Sequence, residues 1–185
     1  MMTYLLRVMF VSVFGVSWVA NAQEISAADA KALLAVNQIT EQHGKFSQKK
    51  YFKRLAKPFV SSGEFTIDQK GLRWQTLKPA KSAIVITDST MMLESSTGQQ
   101  TQINQGEMYA RLLKQLMLGQ FEALAPYFAM NTTAQQQCIV LEPSEDSLRQ
   151  LMSSVTLCGQ GRIDTLELLD IHQNKTEITL QYNNL

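Results

Sequence analysis

Apolar and polar positions change rhythm three times along this chain. Ser26 and Asp29 have the spacing of a capping box with Asp in the Glu position, and Leu33, Val36 and Ile39 follow at helical spacing beside Ala30 and Ala32. This helix is expected to end before Gly44. From Lys45 to about Ile103 the pattern shortens to strand-like runs: Lys45 to Phe52, Phe59 to Ile67 with Phe59, Phe65 and Ile67 on one parity, and Gly71 to Leu77 with Leu72 and Trp74 on one face. Ala83 to Ile86 and Met91 to Leu93 are continuous apolar runs. Turn signals separate them at Lys57-Pro58, Gln69-Lys70-Gly71, Lys78-Pro79, Asp88-Ser89 and Thr97-Gly98. Strands this close leave no room for crossover helices, so the sheet they form is antiparallel.

Helix returns where Met108, Leu112, Leu113, Leu116 and Met117 make an apolar stripe, with Gly119 placed to end it. A short second helix is expected over Phe121 to Tyr127, limited by Pro126, and a third over Ser144 to Met152. Strands fit Gln136 to Glu142, Ser154 to Cys158, Arg162 to Ile171 and Thr176 to Tyr182, the last two joined by a turn at His172 to Lys175. Helix, strands, helices, strands is the order of an α+β domain built around one long antiparallel sheet.

Residues Met1 to Ala22 stand apart. Arg7 precedes an apolar run from Val8 to Val16, and Ala20-Asn21-Ala22 has the small-x-small pattern of a signal-peptidase site. A membrane anchor would need about 20 apolar residues, more than this stretch holds. Export with cleavage after Ala22 is therefore expected, leaving one domain over residues 23–185. Loss of Arg7 brings the chain's formal charge of +1 to zero. With 45% hydrophobic and 18% charged residues the chain is globular and not disordered. No strongly basic balance points to nucleic acid, so it is not an expected partner. In an oxidising compartment Cys138 and Cys158, with 19 residues between them, are expected to form a structural disulfide. A redox pair or a metal site is the weaker alternative, because there is no C-x-x-C and only two His are present.

Catalytic chemistry is sparse. No G-x-S-x-G elbow or phosphate-binding glycine loop occurs, and Glu142, Glu145 and Asp146, the densest carboxylates, are explained by a helix N-terminus near Ser144. No catalytic residue, metal ligand or cofactor is assigned. Nine Met, including Met91, Met92, Met108 and Met117, supply side chains that fill cores or adapt to irregular apolar partners. The run Lys49, Lys50, Lys53, Arg54, Lys57 fits either a solvated edge strand protected against aggregation or a docking surface for acidic head groups.

Phe46-Ser47-Gln48-Lys49-Lys50, then Pro58 to Phe65, Gly71-Leu72-Arg73-Trp74 and Pro79, followed by Leu141-Glu142-Pro143, Ile163 to Asp170 and Thr176 to Leu180, resemble the LolA family of periplasmic outer-membrane lipoprotein carriers. The series covers about Val36 to Tyr182 and looks closest to a divergent branch similar to proteins encoded beside fatty-acid-type synthases and lipid exporters in aryl-polyene clusters. The resemblance implies an unclosed β-barrel of about eleven antiparallel strands with a helical lid over an apolar concave face. It implies a monomeric carrier of an acylated lipid or lipoprotein, meeting an inner-membrane exporter and an outer-membrane acceptor transiently. It places Phe65, Leu72, Trp74 and Val85 on strands lining the cavity and Leu112 and Leu116 on the lid, with Phe46, Ile67, Met92 and Phe121 completing the candidate lipid-binding set. Where the well-studied carriers have an Arg six residues before the tryptophan, this chain has Asp68. The alternative reading is a sensor or adaptor of the same fold that binds lipid or protein without transferring cargo.

Overall fold

The computed structural model describes residues 22–36, 41–68, 70–87, 90–103, 107–135 and 137–183. The expected export segment up to Asn21, and Ile39, Gln69, Asp88-Ser89 and Gln136, lie outside them. A first helix, α1 (Ala27–Leu33), leads into strands β1 (Gln42–Tyr51), β2 (Phe59–Asp68), β3 (Gly71–Lys78), β4 (Ser82–Ile86), β5 (Met91–Glu94) and β6 (Gln100–Gln102). Helices α2 (Glu107–Met117) and α3 (Phe121–Leu124) follow, then β7 (Phe128–Thr132), β8 (Cys138–Pro143), the single turn α4 (Asp146–Arg149), β9 (Met152–Gly159), β10 (Ile163–Asp170) and β11 (Lys175–Tyr182).

All eleven strands join one sheet in the order β6-β5-β4-β3-β2-β1-β11-β10-β9-β8-β7, and every pairing is antiparallel. The chain walks outward from the central β1 to the edge at β6. It crosses to the opposite edge at β7 through α2 and α3, then walks back to β11 beside β1. The two edges do not pair, so the barrel stays open, and the helical crossover lies against its concave apolar face.

Local chemistry explains the elements. Ser26 Oγ accepts from the Asp29 N–H at 3.1 Å and Asp29 Oδ2 accepts from the Ser26 N–H at 3.3 Å, a reciprocal cap that opens α1. The helix ends at Leu33, much earlier than the spacing of Leu33, Val36 and Ile39 suggests, and it buries Ala30 and Leu34 while Leu33 is exposed. Gly119 ends α2 at φ 62°, and a side chain there would strike Val36 Cγ1 at 2.5 Å, so glycine is required twice over. The helix expected over Ser144 to Met152 shrinks to α4 because Met152 already begins β9. Two strands have no clear sequence signal. Strand β6 is Gln-Thr-Gln with every residue exposed, and β7 follows Pro126 directly and ends in polar Asn131 and Thr132.

Cys138 and Cys158 face each other across β8 and β9 and are bonded, Cα to Cα 4.2 Å. They lie on the sheet face opposite the neighbouring pair Ile139 and Leu157, so the bridge ties the returning arm from outside the core. Replacing both by Ala is expected to cost about 3 kcal/mol, the chain-entropy value for a loop of this size, read as a lower urea midpoint with an m-value that holds or rises as the denatured chain expands. A second site has the opposite sign. Gln42 is 4% exposed in the apolar interior, and its side-chain amide finds no hydrogen-bond partner among the described residues. Gln42→Met is expected to stabilise by about 1–2 kcal/mol and to raise Tm by a few degrees, because it removes an unpaired buried polar group. A fall in Tm would show that the amide is bonded.

Candidate functional site: an apolar groove beneath the crossover helix

Cross-strand register determines which side chains face inward. On the β1–β5 arm the concave row runs through Phe46 opposite Gly63, Phe65 opposite Trp74, Trp74 opposite Ile84, and Leu72 opposite Ile86, which in turn faces Met91. The aromatic rings make a dry floor. Phe46 stacks on Trp74 at 3.9 Å between centroids, Phe65 lies 6.1 Å from the same indole, and Tyr182 meets Phe65 edge-on at 5.4 Å. The Tyr182 hydroxyl donates to the Ile163 carbonyl, and the Arg162 guanidinium sits 4.6 Å over its ring. Burial pushes the Tyr182 phenol well above its ordinary range, so it stays a neutral donor.

The other arm is not filled. Between α2 and strands β7, β9, β10 and β11 lies a cavity of about 260 Å³, lined by residues that include Leu112, Leu116, Phe128, Met152, Leu166 and Leu168. A second apolar hollow of about 220 Å³ extends under α2 toward Trp74, Ile84, Ile86 and Met91, and the two share Leu113 and Ile178. Together they form a groove along the concave face. Its first hollow alone approaches the roughly 300 Å³ lower bound of small-molecule sites. Among the described residues Thr176 and Gln48 are the only polar side chains in the lining, and neither is ionisable. Such a surface offers burial to an apolar chain.

The sequence-derived candidates divide three ways. Trp74, Leu112 and Leu116 line the groove. Phe46, Phe65, Ile67, Leu72 and Phe121 share the same interior but are fully packed, between 0% and 3% exposed, so they form its floor and supports. Val85 and Met92 are corrections. Val85 pairs with Arg73 on one side and Met92 on the other, and these three share the convex face. Their neighbours Ile84, Ile86 and Met91 take the inward places. The runs Ala83 to Ile86 and Met91 to Leu93 carry no alternation, so parity was invisible until the register with Arg73 was known. Leu113, Phe128, Met152, Val155, Leu166, Leu168 and Ile178 were not anticipated as lining, although the alternation of Leu166, Leu168 and Ile178 marks a half-buried strand face.

The paired strand charges keep to the outer face and the turns, and Lys50 stands on the inward parity of β1 at the rim, opposite Thr176. Arg73 pairs with Glu94 through two contacts, 3.0 and 3.3 Å, and these hold the Glu94 carboxyl below its usual range. Lys175 binds Glu177 at 2.6 Å and Glu167 at 3.5 Å, which keeps Glu177 low and Lys175 high. Asp68 faces neither the groove nor α2: its Oδ1 accepts from the Lys70 and Gly71 N–H groups at 2.7 and 3.0 Å and closes the β2–β3 turn. His172 lies exposed in the β10–β11 turn, where Asp170 Oδ1 accepts from its backbone N–H. Among the described residues no group of His, Cys, Asp and Glu is placed to hold a metal ion, and no helix is long and apolar enough to cross a membrane.

The sequence profile of the family described as "Outer membrane lipoprotein carrier protein LolA" matches residues 37–184. Comparison with curated proteins returned no match. Among solved structures, the chain is similar to the crystal structure of the LolA superfamily protein NE2245 from Nitrosomonas europaea, with TM-score 0.48, 8% identity, and coverage of 87% of this chain and 95% of that one.

Proposed function

The chain belongs to the LolA family, and from that premise we propose that it is a periplasmic carrier that holds the acyl chains of a lipid or lipoprotein in the groove beneath α2 and moves them between the inner and outer membranes. The observation that carries this reading is the unfilled apolar groove on an otherwise dry concave face. Each buried methylene contributes about 0.8 kcal/mol, so ten would supply roughly 8 kcal/mol, enough to keep a chain out of water. The lining is uniformly apolar, so affinity follows chain length more than head-group identity. Release then requires a change that weakens the grip, because uniform binding holds the cargo equally well at both ends of its journey.

Lid control differs from a local Arg latch. In the position where the resemblance leads one to expect Arg, Asp68 is committed to its own turn, and α2 meets the lining through Leu112, Leu113 and Leu116. Asp68 therefore takes no part in closing α2, and an entering chain meets the helix through its leucines.

Ile178 stands where the two hollows meet and is only partly buried, so Ile178→Trp fills space without emptying the core. Binding of a fluorescent acyl probe is expected to weaken by roughly tenfold or more, while Tm holds or rises because a void is filled. Undiminished probe binding in a folded Ile178→Trp protein would remove the groove from the proposal.

A further inference from the structure

The cationic run is not on an edge. Strand β1 is the central strand, paired along its length with β11 and β2, so Lys49 and Lys50 protect no open ladder. Of the two true edges, β7 is covered in another way: the Ile25 N–H donates to the Met130 carbonyl and the Thr132 N–H to the Gln23 carbonyl. The loop joining β1 to β2 carries Lys53, Arg54 and Lys57, and the span from Lys49 to Val60 has no acidic residue. The neighbouring β3–β4 turn adds Lys78 and Lys81. None of these five loop and turn cations pairs with a carboxylate among the described residues.

Apolar side chains protrude among them. Phe59 is 63% exposed, Val60 55% and Leu55 53%, the three largest values for big apolar residues in the described chain. Phe52 meets Phe59 edge-on at 5.5 Å, and Lys50 Nζ lies 5.2 Å from the Phe52 centroid. The Lys53 N–H donates to Asn174 Oδ1 at 3.1 Å, tying the loop to the β10–β11 turn, where Ile171 is exposed as well. Three carboxylates at this end are engaged: Asp170 holds its turn, Glu177 binds Lys175 and Tyr51, and Asp146 binds Arg149, while exposed Glu142 and Glu145 stand on the far arm beside α4. The hollow under Phe52, Phe59 and Pro79 shares Gln48 with the groove, so this tip stands at the groove's open end.

We infer that the β1–β2 hairpin tip, with the β3–β4 turn beside it, is a docking surface for an anionic lipid bilayer, inserting Phe59 and Leu55 among acyl chains while Lys53, Arg54 and Lys57 meet the head-group phosphates. Exposed cations around protruding aromatic and aliphatic residues suit an interface that is anionic at the surface and apolar just beneath. Docking in this pose sets the groove mouth against the membrane. The surface is carried by the hairpin and not by the groove, so vesicle binding and acyl-probe binding are read separately, and the failure of one leaves the other standing.

The test is co-flotation of the protein, as purified from cells, with vesicles of phosphatidylcholine alone or with about a third phosphatidylglycerol. Binding is expected only to the anionic vesicles and should fall when salt is raised from about 0.1 to about 0.5 M. Replacing Lys53, Arg54 and Lys57 together by Gln is expected to lower the partition coefficient on the order of a hundredfold. The Leu55→Ser, Phe59→Ser pair should lower it by roughly tenfold or more at unchanged salt dependence. All these positions are exposed, so Tm should stay at the parent value, and in the charge variant, whose three side chains lie outside the groove lining, acyl-probe affinity should stay there too. Equal flotation of parent and both variants, or parent binding that ignores phosphatidylglycerol, overturns the inference. So does an absence of parent flotation, and in that case loss of cargo transfer in the same variants would assign the tip to a protein partner.

Discussion

An antiparallel sheet whose two edges never meet has a concave face that it cannot bury against itself, and the rest of the molecule follows from that constraint. The ladder from β6 to β7 leaves one apolar surface that must be kept from water, and the longest cover among the described residues is the segment that travels from edge to edge, with α1 packed beside it. Helices α2 and α3 are that segment. Two helices, eleven and four residues long, cannot fill a face spread over eleven strands. The aromatic stack of Phe46, Phe65 and Trp74 closes one part, and the arm formed by β9, β10 and β11 keeps its space. The groove is thus a consequence of topology before it is a specialised site. Its residues need only remain apolar and fall short of filling the volume.

That distinction also explains how much was legible in the chain. Element types were carried by short-range patterns: the capping box at Ser26, the stripe from Met108 to Met117, the parity of Phe65 and Ile67, the turn at His172 to Lys175. The antiparallel architecture followed from spacing, and its openness and strand number from family resemblance. Face assignment needed register, which is long-range. Leu72 and Trp74 declared themselves because Arg73 stands between them, whereas Val85 and Met92 sit in runs that are apolar on both sides. Strand β6 was invisible because its Gln-Thr-Gln side chains bury nothing and its place is set by pairing with β5 alone. The far wall was hard to see for a related reason. Leu166 and Ile178 look like ordinary core residues until the helix above them is known to stop short.

Charge placement adds a second organising rule. A groove lined without ionisable groups puts its electrostatics elsewhere, and here the ions are paired on the convex face or grouped at one end. Arg73 with Glu94, and Lys175 with Glu167 and Glu177, lie across neighbouring strands and register the outer surface. Because these pairs are solvent-exposed, their value lies more in keeping the convex side wet than in stability. Asp68 belongs to the same economy of local use. A carboxylate that accepts two backbone N–H groups in a tight turn is a structural residue, and it has no reach to spare for a moving helix.

For the carrier proposed here, direction of transfer therefore has to come from outside the groove. An apolar chain enters because water rejects it, and the same preference holds it at either membrane, so affinity alone moves nothing. What distinguishes one encounter from another is the surface that the groove mouth faces. Gln48 lies between the inner hollows and the rim that carries Phe52, Phe59 and Pro79, so a chain leaving along the groove emerges at that rim. If the rim rests in a bilayer, the chain passes from one apolar medium to another and never pays the cost of hydration. The barrier that remains is the displacement of α2, which meets the lining through Leu112, Leu113 and Leu116, the leucines that the cargo must push aside. A carrier on this plan is loaded and emptied by competition for one apolar surface, with helix, cargo and membrane as the competitors.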